Sequence, residues 1–423
     1  MKKILITLTM LLLGVMQLYS QVDSLTMGLD FRTRAENDNG QFTLIPEGKV
    51  DKTTVFSRSR LNIDYFYQNL ELFLSIQDIR NWGEFNSISP KNPNFLLNEA
   101  WAKYNFSPEV AIKIGRQVLS YDDERLFGGL DWAMQGRSFE GIKGIVNFDN
   151  FSKLEAVITY NNDNITTNNL PNQEIYDITE AGEKTKSMQL LYYQMKNPDF
   201  IKFSVIALNS VLQNSTTGDH LNLQTLGSNL EQYFDNFGFF GSAYFQTGKN
   251  TRGQNKSAYQ FSLNADFKIT KQFNVVVGTE WLSGNNFNTD SSETKAFSPF
   301  YGTNHKFNGY MDYFFVGNHF NTVGLNDYYL KTTTKFSPNT ILVVNLHTFT
   351  SNGTLSNNLS SFLGTEADVV FTHKFSKQFT LFLGHSFMFA TESMNAIKAV
   401  SNPKNIQTWS WIGLNFTTNF KVI

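Results

Sequence analysis

The 423-residue chain has nine arginines, and eight of them precede position 140: Arg32, Arg34, Arg58, Arg60, Arg80, Arg116, Arg125 and Arg137. Two pairs, Arg32/Arg34 and Arg58/Arg60, have the two-residue spacing that puts both side chains on one face of a β-strand. A planar guanidinium presents a rigid fork that matches a carboxylate bidentately. Two such pairs on adjacent strands make a basic wall suited to holding or passing anions, and Lys103 and Lys113 extend it. The same residue types support a structural reading, in which the arginines brace an interior by pairing with Asp30, Asp64, Glu71, Glu99, Glu366 or Asp368. Glu366 and Asp368 share one strand face, where they either select cations or neutralise nearby arginines.

Other chemistry is thinly represented. Cysteine is absent, which removes disulfides, thiolate catalysis and zinc–thiolate sites. Six scattered histidines fall in no HExxH or other metal-ligand spacing, and no phosphate-binding glycine loop appears. Ser, Asp and His are plentiful, but no spacing singles out a nucleophile with its base and orienting acid. The segment 115–141 stands apart, with Asp122, Asp123, Glu124, Arg125, Asp131 and Arg137 around Gly128-Gly129. Two readings stay open for it: a loop folded inward that narrows a pore, or a solvated external loop. Asp122-Asp123-Glu124 lacks the EF-hand calcium spacing.

Positioning falls to strands. In 26–36, Met27, Leu29, Phe31 and Ala35 oppose Asp30, Arg32, Arg34 and Glu36. In 57–67, Leu61, Ile63, Tyr65 and Tyr67 oppose Arg58, Arg60, Asn62 and Asp64; 258–268 and 412–422 alternate in the same way. Period two means β, with one apolar and one polar face. Aromatics are 15 % of the chain, 40 of them Phe, and charged residues only 17 % against the usual quarter or so. Mean hydropathy is slightly negative, unlike a helical membrane protein. An aromatic-rich apolar face opposite mid-strand charge describes a barrel with lipid outside and water inside.

Residues 1–20 read as a signal peptide: Lys2-Lys3, an apolar run from Ile4 to Met16, and cleavage after Ser20. Its removal leaves 33 basic against 37 acidic side chains, a balance that offers nothing to nucleic acid. Short turns fall near Gln68-Asn69, Ser107-Pro108, Asp149-Asn150, Asn197-Pro198, Asp235-Asn236, Thr270-Lys271, Ser337-Pro338 and Ser376-Lys377, all turn-favouring residues. Eight hairpins plus a strand at each end predict an all-β, eighteen-stranded antiparallel barrel over 21–423. Short turns face the periplasm, and long external loops include 37–53, 161–185, 284–322 and 391–404. That size leaves an aqueous channel.

The charged segment also carries a resemblance. Gly115-Arg116-Gln117, Asp131-Trp132 and Gly136-Arg137-Ser138-Phe139-Glu140-Gly141 resemble the alginate-export outer-membrane porin family. So do Thr303-Asn304-His305-Lys306, Gly309 to Tyr313, and Gly364-Thr365-Glu366-Ala367-Asp368. The resemblance implies an eighteen-stranded barrel and passive passage of an anionic polysaccharide through a basic constriction. Carried over by motif, Arg116 and Arg137 are pore-region basic residues with Asp131 and Glu140 as partners, and His305 and Asp312 belong to a loop motif. The expectation is a Gram-negative outer-membrane porin, with no enzyme activity, cofactor or metal. It meets outer-membrane lipid and passes anionic saccharides or other small acids, alginate-type export being one form of that passage. An outer-membrane enzyme and a barrel plugged by its own loops are the competing readings.

Overall fold

The computed structural model describes residues 24–84, 95–161, 185–197, 201–214, 217–315, 319, 322–356 and 359–422. The expected signal segment lies outside the described residues, as do 162–184 of the loop expected over 161–185 and 198–200 of the fourth short turn.

The first half comprises β1 (Ser24–Asn39), β2 (Lys52–Tyr67), β3 (Leu70–Asn81), β4 (Phe95–Asn105), β5 (Val110–Gln117), β6 (Phe139–Asn147), β7 (Ser152–Tyr160), β8 (Thr185–Lys196) and β9 (Lys202–Gln213). There follow β10 (His220–Tyr233), β11 (Phe237–Lys249), β12 (Asn255–Lys268), β13 (Phe273–Leu282), the two-residue β14 (Glu293–Thr294) and β15 (Leu325–Ser337). The chain ends with β16 (Thr340–Thr350), β17 (Phe362–Lys374), β18 (Phe379–Ala390) and β19 (Gln407–Lys421). Each strand except β14 pairs antiparallel with its neighbours, and β1 pairs with β19 from Thr26↔Lys421 to Asn39↔Thr408. The sheet therefore closes, as an eighteen-stranded barrel. The strand β14 lies beside β12 in parallel, inside a long loop.

Two local features depart from the all-strand expectation. A helix, α1 (Glu392–Ile397), starts where Thr391 accepts a cap hydrogen bond from the Met394 amide, and a 3-10 turn spans Asn304–Lys306. Both sit in long loops.

The walls alternate as the pattern requires. Leu29, Phe31, Leu263, Phe416 and Phe420 point outward and are exposed, while Arg34, Arg58, Gln260 and Asp368 point inward and are buried. Closure leaves no edge strand, so the backbone groups of the wall find partners within it. The short turns use side-chain oxygens in place of backbone partners. Asp149 Oδ1 accepts from the amides of Phe151 and Ser152, both at 2.7 Å, and Thr270 Oγ1 from those of Gln272 and Phe273. Gly115 in β5 has φ +125°, and a Cβ there would run into the Ala100 carbonyl oxygen.

The interior is not empty. The loop 118–138 and the described residues of 283–324 turn inward and pack on one another. Phe127 and Tyr301 form a β-bridge and stack with ring centroids 5.1 Å apart, and the Gly128 amide donates to the Tyr301 carbonyl. Leu119, Leu126, Phe300, Met311 and Tyr313 are buried with inward-facing Trp409 of β19 and Phe349 of β16. A small apolar core therefore sits inside the barrel at its long-loop end.

Candidate functional site

The inward fold of loop 118–138 is set by polar anchors on three sectors of the wall. On β1 and β2, Asp131 meets three guanidinium groups: Arg32 Nη2 at 3.0 Å, Arg58 Nη1 at 3.1 Å and Arg60 Nη1 at 3.7 Å. Arg34 donates to the Trp132 carbonyl at 2.8 Å, and its guanidinium lies 4.0 Å from the Trp132 ring centroid. On β8 to β10, Tyr192, Ser204 and Asn229 donate to Asp122 at 2.8, 2.8 and 3.0 Å. On β13, Arg125 Nε donates to Glu280 Oε1 at 2.6 Å, its Nη2 pairs with Oε2, and Asn308 bridges the two residues. Asp131 and Arg125 are only six positions apart yet hold separate sectors of the barrel, with β15 to β19 between β13 and β1. The loop is a crossbar, so the inward of the two open readings is the one observed.

The basic wall faces the lumen. Register pairs Arg32 with Arg58 and Asp30 with Arg60, which brings three guanidiniums and two carboxylates into one patch. Arg58 is 1 % exposed and donates to Asp30 at 2.7 Å, whereas the Asp131 side chain is 64 % exposed. Desolvation by the surrounding barrel wall opposes the charge on Asp131, but the Arg32 and Arg58 guanidiniums outweigh it and hold the carboxyl below the ordinary aspartate range. Lower down the wall, Lys103 and Lys113 are cross-strand partners, and Lys113 is in turn opposite Lys143. Lys113 Nζ lies 3.4 Å from the Trp101 ring centroid, and Lys103 pairs with Glu71 at 3.4 Å. Lys143 escaped the sequence reading; its signal is the inward parity it shares with Lys113 across the register.

Other expected residues stand elsewhere. Arg116 and Glu140 pair at 2.5 Å, but they share parity with Ile114 and Ile142, which are 48 % and 49 % exposed on the outer face. They are not on the lumen side with Lys113 and Gln117. Arg137 donates to the Gly302 carbonyl at 2.9 Å and ties the two loops together; Asp131 is held by the β1–β2 arginines instead. Glu366 and Asp368 do face inward, yet they are 2 % and 0 % exposed. The Met311 amide caps Glu366 at 2.8 Å and Ser386 donates to Asp368 at 2.5 Å, so loop 283–324 covers them. His305 and Asp312 hydrogen-bond at 2.7 Å, and His305 stacks on Trp132 at 4.5 Å, giving the loop motif a bracing role. A second pair, His347 with Asp327 at 2.9 Å, lies beside Glu280 in the wall. Glu280, Asp327 and His347 were missed. Their inward parity was legible, but a partner 155 residues away was not.

Toward the short-turn end, a cavity of about 420 Å³ opens beneath the crossbar, lined among others by Asp122, Asp123, Lys202, Glu231, Tyr329 and Lys331. Burial raises the Asp123 carboxyl to about 6, partly offset by the Arg125 amide. A raised carboxyl favours the seated loop in its neutral form. That contribution is complete below the ordinary aspartate value of about 4 and is lost as pH rises through about 6. Asp123→Asn is therefore expected to quieten loop-driven current flicker at pH 7.5 and to leave it unchanged at pH 4.5, read in single-channel recordings. Equal flicker at both pH values in the native chain would contradict the assignment.

Comparisons with known proteins agree with this architecture. The family model described as alginate export matches residues 23–403. No curated protein matches in sequence. Among solved structures, OccAB1 of Acinetobacter baumannii is similar with a TM-score of 0.64 at 13 % identity, covering 95 % of this chain and 99 % of that one. A BenF-like porin from Pseudomonas fluorescens Pf-5 gives 0.64 at 11 % identity, over 95 % and 100 % of the two chains. Pseudomonas aeruginosa OpdK, solved with vanillate, gives 0.60 at 12 % identity over 94 % and 100 %. At such identities the likeness speaks for the fold alone.

Proposed function

The chain belongs to the alginate-export family, and from that premise we propose that this porin passively conducts anionic saccharides and other small organic acids across a Gram-negative outer membrane. The observation that carries the reading is the convergence of Arg32, Arg58 and Arg60 on one solvent-reached carboxylate where the crossbar narrows the lumen. Such a group recognises carboxylates by charge and by fork geometry. Below it, the row Lys103, Lys113 and Lys143 continues the basic path toward the short-turn end. Conduction needs several weak sites rather than one strong one, and the neighbouring Glu71 and Glu155 temper these lysines. Vanillate in the OpdK structure is a small carboxylate, in keeping with this solute class. We assign residues 1–20 to export and the mature chain to the barrel.

The buried aromatic core formed by loops 118–138 and 283–324 favours a second reading, a barrel that these loops close. One experiment separates the two. The reversal potential of refolded protein in a planar bilayer under a KCl gradient is expected to show anion preference, and uronate oligomers are expected to block the current. Cation preference would sink the arginine reading; silence would favour the closed barrel.

A further inference from the structure

Segment 131–135 is bound to the basic wall through its oxygens. Arg32 donates to the Asp131 carbonyl at 2.6 Å, Arg34 to that of Trp132 at 2.8 Å, Arg58 to that of Met134 at 3.3 Å, and Gln77 to that of Gln135 at 2.7 Å. These carbonyls, together with the stack of Trp132 on His305, fix the backbone. The Asp131 carboxylate is different in kind. Its side chain is reached by solvent, yet it takes the seat between three guanidiniums that are themselves nearly buried. We propose that Asp131 is a specificity-determining residue, a tethered carboxylate occupying the seat that a solute carboxylate takes, so that each passing anion exchanges with it. This rests on the anion-channel reading and deepens it.

The physical role is to weaken binding. Without the Asp131 carboxylate, the Arg32, Arg58 and Arg60 guanidiniums would keep only Asp30 as a carboxylate partner and would hold a polyanion through several charge-assisted bonds and release it slowly. A channel needs entry without trapping. A built-in competitor offsets the attraction, and because the backbone is anchored separately, exchange needs only the Asp131 side chain to turn.

The test compares the native chain with Asp131→Asn, which removes the charge and keeps the shape, and with Asp131→Ser as a second uncharged variant. Asp78→Asn serves as control, since Asp78 pairs with Arg80 on the outward parity of Leu72 and Leu74. Single-channel block by a uronate oligomer is the probe, and heat-shifted gel mobility confirms the folded barrel. Both Asp131 variants are expected to lengthen the block by about tenfold and to raise chloride over potassium permeability by about threefold, the scale of one charge in a water-filled pore. The control is expected to match the native chain. Unchanged or shortened blocks in a native channel that prefers anions would overturn the role of Asp131 and leave the anion channel standing. A native channel without anion preference would overturn both.

Discussion

Replacing Arg58 and Arg60 together with glutamine is expected to reverse the ion preference of the channel. In the native patch, three guanidiniums face Asp30 and Asp131, which leaves one net positive charge; the double variant leaves one net negative. Each unit charge acting over about 5 Å of water-like lumen contributes roughly 0.8 kcal/mol, so losing two changes the permeability ratio by about tenfold. Glutamine keeps a polar group opposite Gln77, which now takes two hydrogen bonds from Arg60, and the wall should still close. The measurement is the reversal potential under a tenfold KCl gradient, repeated at about 1 M salt, where a Debye length near 3 Å should erase most of the change. A reversal potential indifferent to both substitutions would mean that ions cross elsewhere.

The second large effect concerns the other end of the crossbar. Arg125→Met should release loop 118–138 from β13 and raise single-channel conductance severalfold while the barrel stays closed. Arg125 is buried, it pairs with Glu280 and Asn308, and its guanidinium lies 4.3 Å from the Phe307 ring centroid. Its removal leaves Glu280 buried beside Asp327 with donors only from Gln260 and Asn308 among the bonds described, an uncompensated charge costing about 3–5 kcal/mol. The wall bonds of β12, β13 and β15 are untouched, so the strain falls on the loop. Adding Glu280→Leu removes the stranded charge and should recover most of the barrel's thermal resistance without restoring the narrow pore. If Arg125→Met melts the barrel and leaves native conductance in what survives, the crossbar is a brace and not a constriction.

The barrel was legible because its information is local. Alternation in 26–36 or 258–268 is enforced residue by residue by lipid on one side and water on the other, and Asp149 or Thr270 makes its turn with amides two and three positions on. The interior was less legible because its partners are distant. Asp131 lies 99 residues from Arg32, and nothing in a single sequence ties them. The family resemblance implied Asp131 and Glu140 as partners of Arg116 and Arg137; Arg116 does meet Glu140, but Arg137 reaches the Gly302 carbonyl from a loop whose path no periodicity describes. Arg116 shows the opposite case. Its alternation with Ile112 and Ile114 already placed it outside, and the resemblance of Gly115-Arg116-Gln117 to a pore motif pointed the other way. Glu366 and Asp368 were rightly placed on the inner face, but their cover comes from a folded loop, which parity cannot foresee.

The crossbar bears on biogenesis as well as on passage. Its three attachments draw on β1 and β2, on β8 to β10, and on β13, so no contiguous half of the chain holds all its partners. During assembly the loop can be seated only after late strands have joined early ones. Until then Phe127, Phe300 and Tyr301 lack their enclosure, and an incomplete barrel presents an oily interior to any chaperone that surveys it. Seating the loop thus coincides with completing the wall, so the seated crossbar marks the chain as fully assembled.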